Sequence, residues 1–252
     1  MTGKVEAKTD WKRSALASAV GLVIGGGAVA AYYSAASPAG SDRAEVEQIV
    51  KDYILAHGEI LPEAMQRLQQ REASRAVGQH RAELETPFHG GWAGAPNADV
   101  VLVEFFDYAC GFCRASNADI NRLLSEDRRL KIVWRELPVL GPDSEAAARV
   151  SLAAARQGKY PAFYQRLFAL GRPTRTNVER AAQETGIDVA QASGFAGSQE
   201  VRAELQRNFE MARTLGASGT PTLIVGDQGL QGAVGYDRLK QAIDETRAGR
   251  RT

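Results

Sequence analysis

The chain has 252 residues, of which 44% are hydrophobic and 24% are charged. This balance is typical of a globular protein and excludes a disordered, collagen-like or polytopic membrane protein. Lys and Arg total 31 against 30 Asp and Glu, for a net charge of +1, so the basic excess expected of a nucleic-acid-binding protein is absent. The only 2 cysteines cannot build a disulfide scaffold or a four-thiolate zinc site.

The first 36 residues have the pattern of a membrane-targeting segment. Four basic residues within 1–13 precede an uncharged run from 14 to 41, and about 20 apolar residues suffice to cross a membrane. Because the basic flank is N-terminal, residues 1–13 are expected in the cytoplasm and the rest of the chain outside it. We interpret residues 14–36 as a transmembrane signal anchor. The alternative is a signal peptide cleaved near Ser34-Ala35-Ala36.

A helical extension is predicted at residues 37–85. Apolar residues recur at helical spacing from 46 to 54 and again from 60 to 68, and His57-Gly58 interrupts the pattern. These helices contain too few apolar residues to form a core of their own. Their apolar stripe therefore packs on the rest of the chain, lies on the membrane surface, or forms a homo-oligomer through residues 41–80.

Residues 86–252 are predicted to form an α/β domain. Val100–Phe106 and Leu130–Arg135 are short, apolar and rich in β-branched residues, as is typical of buried strands. The segment at about 143–217 is helical, so we expect a sheet interrupted by a helical insertion. In chain order, the other predictions are a turn-rich junction at Gly90–Pro96, a helix at Ala115–Leu124, a capping box at Thr176–Glu179, strands at Thr222–Val225 and Leu230–Ala233, and a helix at Tyr236–Arg247.

The two cysteines form the motif Cys110-Gly111-Phe112-Cys113 between a predicted strand and a predicted helix. At a helix N-terminus, free backbone N–H groups and the positive end of the helix dipole favour a thiolate, the nucleophile of disulfide exchange. We therefore predict that Cys110 attacks and that the more buried Cys113 resolves the mixed disulfide. Gly111 leaves the turn unhindered, and Phe112 offers an apolar surface to a polypeptide substrate.

Other uses of a cysteine pair fit the sequence less well. Covalent haem attachment requires a histidine after the second cysteine, where this chain has Arg114. A zinc site requires two further ligands, and the three histidines of the chain are not convincingly spaced. Two thiolates can bind the soft ion Cu(I), so a copper-tolerance or Cu(I)-binding protein with little exchange activity is the alternative. No nucleotide-binding motif is present, and we predict no cofactor.

A second motif, Gly219-Thr220-Pro221-Thr222, precedes a predicted strand far from the cysteines in sequence. Combined with the strand–Cys-x-x-Cys–helix unit, it matches the place where thioredoxin folds carry a cis-proline that faces the disulfide. A cis peptide at Pro221 would present the backbone of Thr220 to an extended substrate. Thr220 and Pro221 are therefore candidate substrate-binding residues.

Three segments resemble the DsbA family of thiol:disulfide oxidoreductases, namely Glu104–Arg114, Glu136–Ser144 and Gly219–Thr222. The resemblance runs from about 97 to 246 and implies a thioredoxin-like fold with an inserted helical domain. The leading helices are similar to the ScsC-like branch, some members of which oligomerise through such an extension. The chain has Gly-Phe between its cysteines where DsbA has Pro-His, so the strong oxidising character of DsbA is not implied.

The resemblance also implies how the site works. Glu104 matches the family's buried acid below the disulfide, where desolvation raises a carboxyl pKa and allows proton exchange with Cys113. The alternative is that Glu104 is an acid at the strand edge, paired with a lysine or arginine. Asp107 is expected to shape the loop. The implied activity is disulfide oxidation, isomerisation or reduction in exported, cysteine-containing polypeptides, through a Cys110–Cys113 disulfide. The implied location is the periplasm, either anchored in the inner membrane or soluble, with a membrane redox partner that resets the pair.

Overall fold

In the computed structural model of the chain, residues 40–249 are described, so the predicted flank and anchor at 1–36 lie outside the described residues. The chain divides into two compact units between Ala64 and Met65. The predicted extension contains two helices, α1 (Gly40–Ala56) and α2 (Ile60–Glu85), with the break at the predicted place. Within 40–249, no helix is long and apolar enough to cross a membrane.

The remaining elements belong to the second unit. In chain order they are β1 (Trp92–Gly94), β2 (Val100–Phe106), α3 (Gly111–Glu126), β3 (Leu130–Glu136), α4 (Pro142–Arg156), α5 (Tyr160–Leu170), α6 (Arg175–Glu184), α7 (Val189–Ala196), α8 (Gln199–Thr214), β4 (Thr222–Val225), β5 (Gln228–Gln231) and α9 (Tyr236–Gly249). The five helices between β3 and β4 form the helical insertion that the sequence predicts, which confirms the α/β architecture.

The strands form one sheet in the order β1-β3-β2-β4-β5. The central pair, β2 and β3, is parallel, and the other neighbours are antiparallel. Side chains alternate between the two faces of the sheet, so that Leu102 and Phe106 pack into the larger core on one face. Val103 and Phe105 pack into a second core on the other face. Because both faces of β2 are covered, its sequence is almost continuously apolar.

The C-terminal half of α2 is part of the second unit's core. Val77 and Leu84 are each 1% exposed and pack against the smaller core. The guanidinium of Arg135 in β3 donates hydrogen bonds to the last carbonyls of α2, including that of Leu84 at 3.2 Å, and to the carboxylate of Glu204 at 2.8 Å. Since the last carbonyls of a helix lack partners within it, Arg135 caps α2.

Three local predictions differ from the structure. The N-cap of α6 is Thr174, which has an extended backbone and whose hydroxyl oxygen accepts a hydrogen bond from the backbone N–H of Asn177. The predicted capping box at Thr176 is wrong, because Thr176 already lies in the first turn of α6. Strand β1 lies in a segment for which the sequence predicts only a turn-rich junction, because a strand of three residues is too short to show an alternation of apolar and polar residues. Strand β5 begins at Gln228 and not at the predicted Leu230. The turn after β4 needs only two residues, of which the first, Gly226, has a φ of 59°.

Candidate active site

The cysteine pair lies where β2 leads into α3. Cys110 is the N-cap residue of α3, and its sulfur accepts a hydrogen bond from the backbone N–H of Cys113 at 3.4 Å. This places the free N–H groups at the helix N-terminus next to the Cys110 sulfur. Gly111 has open space where a Cβ would stand, and the Phe112 side chain is 68% exposed. The local geometry is therefore that of the predicted strand-to-helix junction.

The two cysteines have different surroundings. Both are free thiols, so the predicted disulfide stays a prediction about the oxidised form. Cys113 is completely buried, and Cys110 is 6% exposed. Burial raises the pKa of Cys113 far above its usual value, and the neighbouring charge of Glu104 raises it further. Cys113 therefore stays protonated until a nearby base takes its proton.

The second motif meets the first in space. The Thr220–Pro221 peptide is cis, and the Cys110 thiol donates a hydrogen bond to the carbonyl oxygen of Thr220 at 3.1 Å. The two segments meet because β4 pairs antiparallel with β2, so that Thr222 at the start of β4 lies opposite Phe105 near the end of β2. The predicted substrate-binding residues Thr220 and Pro221 thus lie beside the predicted nucleophile.

Glu104 lies in the centre of the sheet on β2 and is fully buried. Its Oε2 accepts a hydrogen bond from the hydroxyl of Tyr164 at 2.8 Å, and the indole N–H of Trp134 also interacts with the carboxyl group. Desolvation raises the pKa of Glu104 to about 7, and the hydrogen bond from Tyr164 lowers it less. The alternative of an edge acid with a basic partner is wrong, because β2 is flanked by β3 and β4.

The carboxylate of Asp107 ties the cysteine loop to the loop between β3 and α4. It accepts four hydrogen bonds of 2.6 to 2.9 Å, from the backbone N–H groups of Ala109, Val139 and Leu140 and from the hydroxyl of Ser144. All three of the segments that resemble the DsbA family therefore meet at one site. Asp107 shapes the loop, as expected.

Glu136 is a functional candidate that sequence reasoning did not single out. It ends β3, is 1% exposed, and its Oε1 accepts a hydrogen bond from the hydroxyl of Tyr160 at 2.7 Å. Desolvation raises the pKa of Glu136 to about 8, and the charges of Asp107 and Glu104 add to this increase. Like Glu104 in β2, Glu136 is an acid in a mostly apolar strand, and this sequence pattern could have identified it.

Comparison with known families places the chain among disulfide-exchange proteins. Residues 101–244, more than half of the chain, match the family described as the DSBA-like thioredoxin domain. The chain belongs to the DsbA-like thioredoxin family. In this DsbA-like protein, residues 42–75 also match the N-terminal domain of the copper resistance protein ScsC.

Solved structures agree with the family assignment. A linker-deletion mutant of Proteus mirabilis ScsC is 27% identical, covering 85% of this chain and 99% of that one with a TM-score of 0.69. The thiol-disulfide exchange protein alpha-DsbA2 of Wolbachia pipientis is 26% identical, covering 71% and 97% with a TM-score of 0.65. A thioredoxin-like oxidoreductase of Silicibacter pomeroyi is 39% identical, covering 62% and 91% with a TM-score of 0.61. These likenesses confirm the thioredoxin-like fold and the ScsC-like resemblance.

Curated relatives of the DsbA-like protein include much longer Na+/H+ antiporters of the NhaA type. The protein of Herminiimonas arsenicoxydans is 29% identical over 163 residues, which cover 63% of this chain and 26% of the antiporter. The chain thus spans about a quarter of the length of the curated relatives that it matches. The likeness concerns only that part of the antiporters.

Proposed function

We propose that this DsbA-like protein is an exported thiol:disulfide oxidoreductase that oxidises, isomerises or reduces disulfides in cysteine-containing polypeptides. The observation that carries the proposal is the position of Cys110. Its sulfur caps the N-terminus of α3 and lies 3.1 Å from the carbonyl oxygen of Thr220, the residue before the cis-proline. This arrangement supports a nucleophilic thiolate at Cys110 and an extended substrate beside it.

In the oxidising direction, a substrate thiolate attacks the Cys110 sulfur of a Cys110–Cys113 disulfide. The bond between the two cysteines breaks, and Cys113 leaves as a thiolate that takes a proton from neutral Glu104. A second substrate thiolate then attacks the substrate sulfur of the mixed disulfide and displaces Cys110. Two electrons pass from the substrate dithiol to the cysteine pair, and a membrane redox partner must remove them before the next cycle.

In the isomerising direction, the Cys110 thiolate attacks a wrong disulfide and forms a mixed disulfide with one of its sulfurs. The released substrate thiolate attacks another disulfide or the mixed disulfide itself. If the complex stalls, Cys113 gives its proton to ionised Glu104 and attacks the Cys110 sulfur, which expels the substrate. The high pKa of buried Cys113 is the reason that this step needs a base.

Substrate contacts are proposed around the exposed rim of the cysteine pair. Phe112 is 68% exposed, and Val139 and Leu140, held by Asp107, are 48% and 54% exposed. Next to Phe112, Gly111 has open space where a Cβ would stand, which supports the approach of an extended chain. An apolar rim suits unfolded polypeptides, which present apolar side chains near their cysteines.

Cysteine variants test the exchange function. Cys110→Ala should abolish turnover of a disulfide-containing protein substrate, because it removes the attacking sulfur. Cys113→Ala should instead accumulate mixed disulfides on Cys110, visible as a mass increase equal to the bound thiol. Ser116→Ala is a matched control, since Ser116 is buried in α3 beyond the cysteines. Turnover by Cys110→Ala protein equal to that of the unaltered chain would refute the proposal.

A copper-binding function is the second candidate. It is favoured by the match of residues 42–75 to the N-terminal domain of a copper resistance protein and by two thiols next to each other. Between 40 and 249, no group of three or more His, Cys, Asp or Glu could hold a metal ion, so Cu(I) would have the two thiols alone. Stoichiometric Cu(I) binding by the reduced protein, with negligible exchange, would favour this candidate.

Export and anchoring are proposed from the N-terminal sequence. The basic flank at 1–13 and the uncharged run at 14–36 support a catalytic domain in the periplasm, either anchored in the inner membrane or released after cleavage. Fractionation of cells that produce the full chain distinguishes these forms. The anchored protein should remain in the membrane fraction after washing with salt, and the cleaved protein should appear in the periplasmic fraction about 36 residues shorter.

Self-association through the first unit is proposed from its exposed apolar stripe. Val46, Ile49, Val50 and Tyr53 are 50 to 59% exposed and recur at the spacing of one helix face. Removal of residues 41–64 should lower the mass measured by light scattering to that of a monomer. The deletion stops at 64 because Val77 belongs to the core of the second unit. An unchanged mass would refute the proposal.

A further inference from the structure

Two buried acids lie on the same face of the sheet, on neighbouring strands. In the parallel pairing of β2 with β3, Glu104 lies opposite Trp134, and Glu136 lies opposite Phe106. A strand spacing of about 4.8 Å and a rise of about 3.3 Å per residue place the two Cα atoms about 8 Å apart. Both side chains are almost completely buried. Two carboxyl groups thus share one region of low dielectric below the cysteines.

Each acid receives a hydrogen bond from a tyrosine of the same helix. Tyr164 donates to Glu104 at 2.8 Å, and Tyr160, one turn earlier in α5, donates to Glu136 at 2.7 Å. The rings of the two tyrosines are stacked, with centroids 6.4 Å apart. The same helix therefore positions both carboxyl groups.

No cation faces Glu136 among the described residues. The titratable groups around it are Asp107 and Tyr108 from the cysteine loop, Glu104 from β2 and Tyr160 from α5, and α4 contributes the neutral hydroxyl of Ser151. From α8, the amide of Asn208 reaches only the backbone carbonyl of Glu136. Arg135, the one Lys or Arg within 40–249 that is buried as a whole residue, contacts Glu204 on the opposite face. Ionisation of one acid therefore opposes ionisation of the other.

We propose that Glu136 is a positioning residue that acts through Glu104: the two acids carry one negative charge between them near neutral pH, and the charge on Glu136 controls how Glu104 exchanges a proton with Cys113. The inference rests on the proposed function. In the step concerned, the Cys113 proton passes to ionised Glu104 and the Cys113 sulfur bonds to the Cys110 sulfur. The bond between Cys110 and the substrate sulfur breaks, and the substrate leaves as a thiolate.

The step can be isolated with the full chain in its reduced form. An activated aryl–glutathione disulfide transfers glutathione to Cys110 with release of the aryl thiolate, and the later release of glutathione reports the attack by Cys113. For the unaltered protein, we expect the rate of this release to show two inflections with pH, near 7 and near 8. Glu136→Gln should lose the upper inflection and keep the lower one.

Two tyrosine variants provide a matched pair that leaves both acids in place. Tyr160→Phe removes a hydrogen bond that lowers the pKa of Glu136, so the upper inflection should move to higher pH. Tyr164→Phe removes the corresponding bond to Glu104, so the lower inflection should move to higher pH. These variants test the inference even if Glu136→Gln fails to fold.

A second readout does not depend on exchange. Carboxyl infrared bands of the oxidised protein should show that Glu136 titrates at lower pH in Glu104→Gln, because the charge of Glu104 raises the pKa of Glu136. Glu145→Gln, which changes an exposed acid of α4, is the control and should leave both inflections in place.

The outcomes are distinguishable. Two unchanged inflections in Glu136→Gln would overturn the inference, as would an unchanged titration of Glu136 in Glu104→Gln. If the unaltered protein forms the glutathione adduct but does not release glutathione at any pH, the proposed function itself fails, and the inference fails with it. The inference is supported if Glu136→Gln loses the upper inflection, Tyr160→Phe moves only the upper inflection and Tyr164→Phe moves only the lower one.

Discussion

Glu104 is buried with no cation beside it among residues 40–249, which should make the protein less stable as the pH rises, and Glu104→Gln should remove the part of this dependence that Glu104 contributes. The ordinary pKa of 4.5 applies in the unfolded chain, whereas burial raises the pKa to about 7 in the folded protein. The folded state therefore binds the proton more tightly between these two values. The stability contributed by this proton is fully present below about pH 4.5 and is lost as the pH rises through 7.

The size of the effect follows from the shift in pKa. A difference of one pKa unit corresponds to about 1.4 kcal/mol, so the shift of Glu104 amounts to about 3 kcal/mol at pH 8. Glutamine has nearly the shape of a protonated glutamate, and its amide oxygen can accept the hydrogen bond from Tyr164. Glu104→Gln should therefore match the unaltered protein at pH 4 and exceed its free energy of unfolding by about 3 kcal/mol at pH 8.

Urea unfolding of the two reduced proteins, measured at pH 4, 6 and 8, tests this prediction. In thermal unfolding, the difference at pH 8 corresponds to an increase in Tm of about 6 to 12 °C for a domain of this size. Glu145→Gln is the control, because Glu145 is an exposed acid of α4 that pairs with Arg149. A stability difference between Glu104→Gln and the unaltered protein that is the same at pH 4 and pH 8 would refute the reasoning.

Three further substitutions test other parts of the site. Asp107→Ala leaves three backbone N–H groups and a hydroxyl without their acceptor. The free energy of unfolding in urea titrations should therefore fall by about 3 kcal/mol or more, and a loss below about 1 kcal/mol would contradict this account. Because Phe112 is exposed beside the cysteines, Phe112→Ala should reduce kcat/KM for an unfolded polypeptide but not for oxidised glutathione. Equal losses for both substrates would exclude a contact between Phe112 and the polypeptide. Arg135→Met uncaps α2 and leaves buried Glu204 with the partly exposed Arg207 as its remaining cation, so we expect a loss of about 3 kcal/mol in urea titrations. Adding Glu204→Met should recover part of this loss, and no recovery would contradict the pairing of Arg135 with Glu204.

The parts of the site that the sequence could predict are those with local causes. The cysteine motif at the end of an apolar strand indicates a helix N-terminus, and Cys110 is the N-cap of α3. The contact between Cys110 and Thr220 joins residues 110 positions apart, and only the resemblance to a family indicated it. The burial of Glu136 depends on α5 packing over β3, which no local pattern reveals. The N-cap at Thr174 was missed because two threonines two residues apart compete for that position.

The two faces of the sheet differ in how their buried charged side chains are paired. On one face Glu204 pairs with buried Arg135 at 2.8 Å and with the partly exposed Arg207 at 2.6 Å. On the other face Glu104 and Glu136 have no cation among the described residues. Arg135 and Glu136 are consecutive residues of β3, so their side chains point to different faces of the sheet. A shift of β3 by one residue would exchange the two side chains and place a guanidinium beside Glu104. That charge would lower the pKa of Glu104 and remove its ability to hold a proton near neutral pH. The register of β3 against β2 therefore controls the proton chemistry of the cysteine pair as well as the packing of the core.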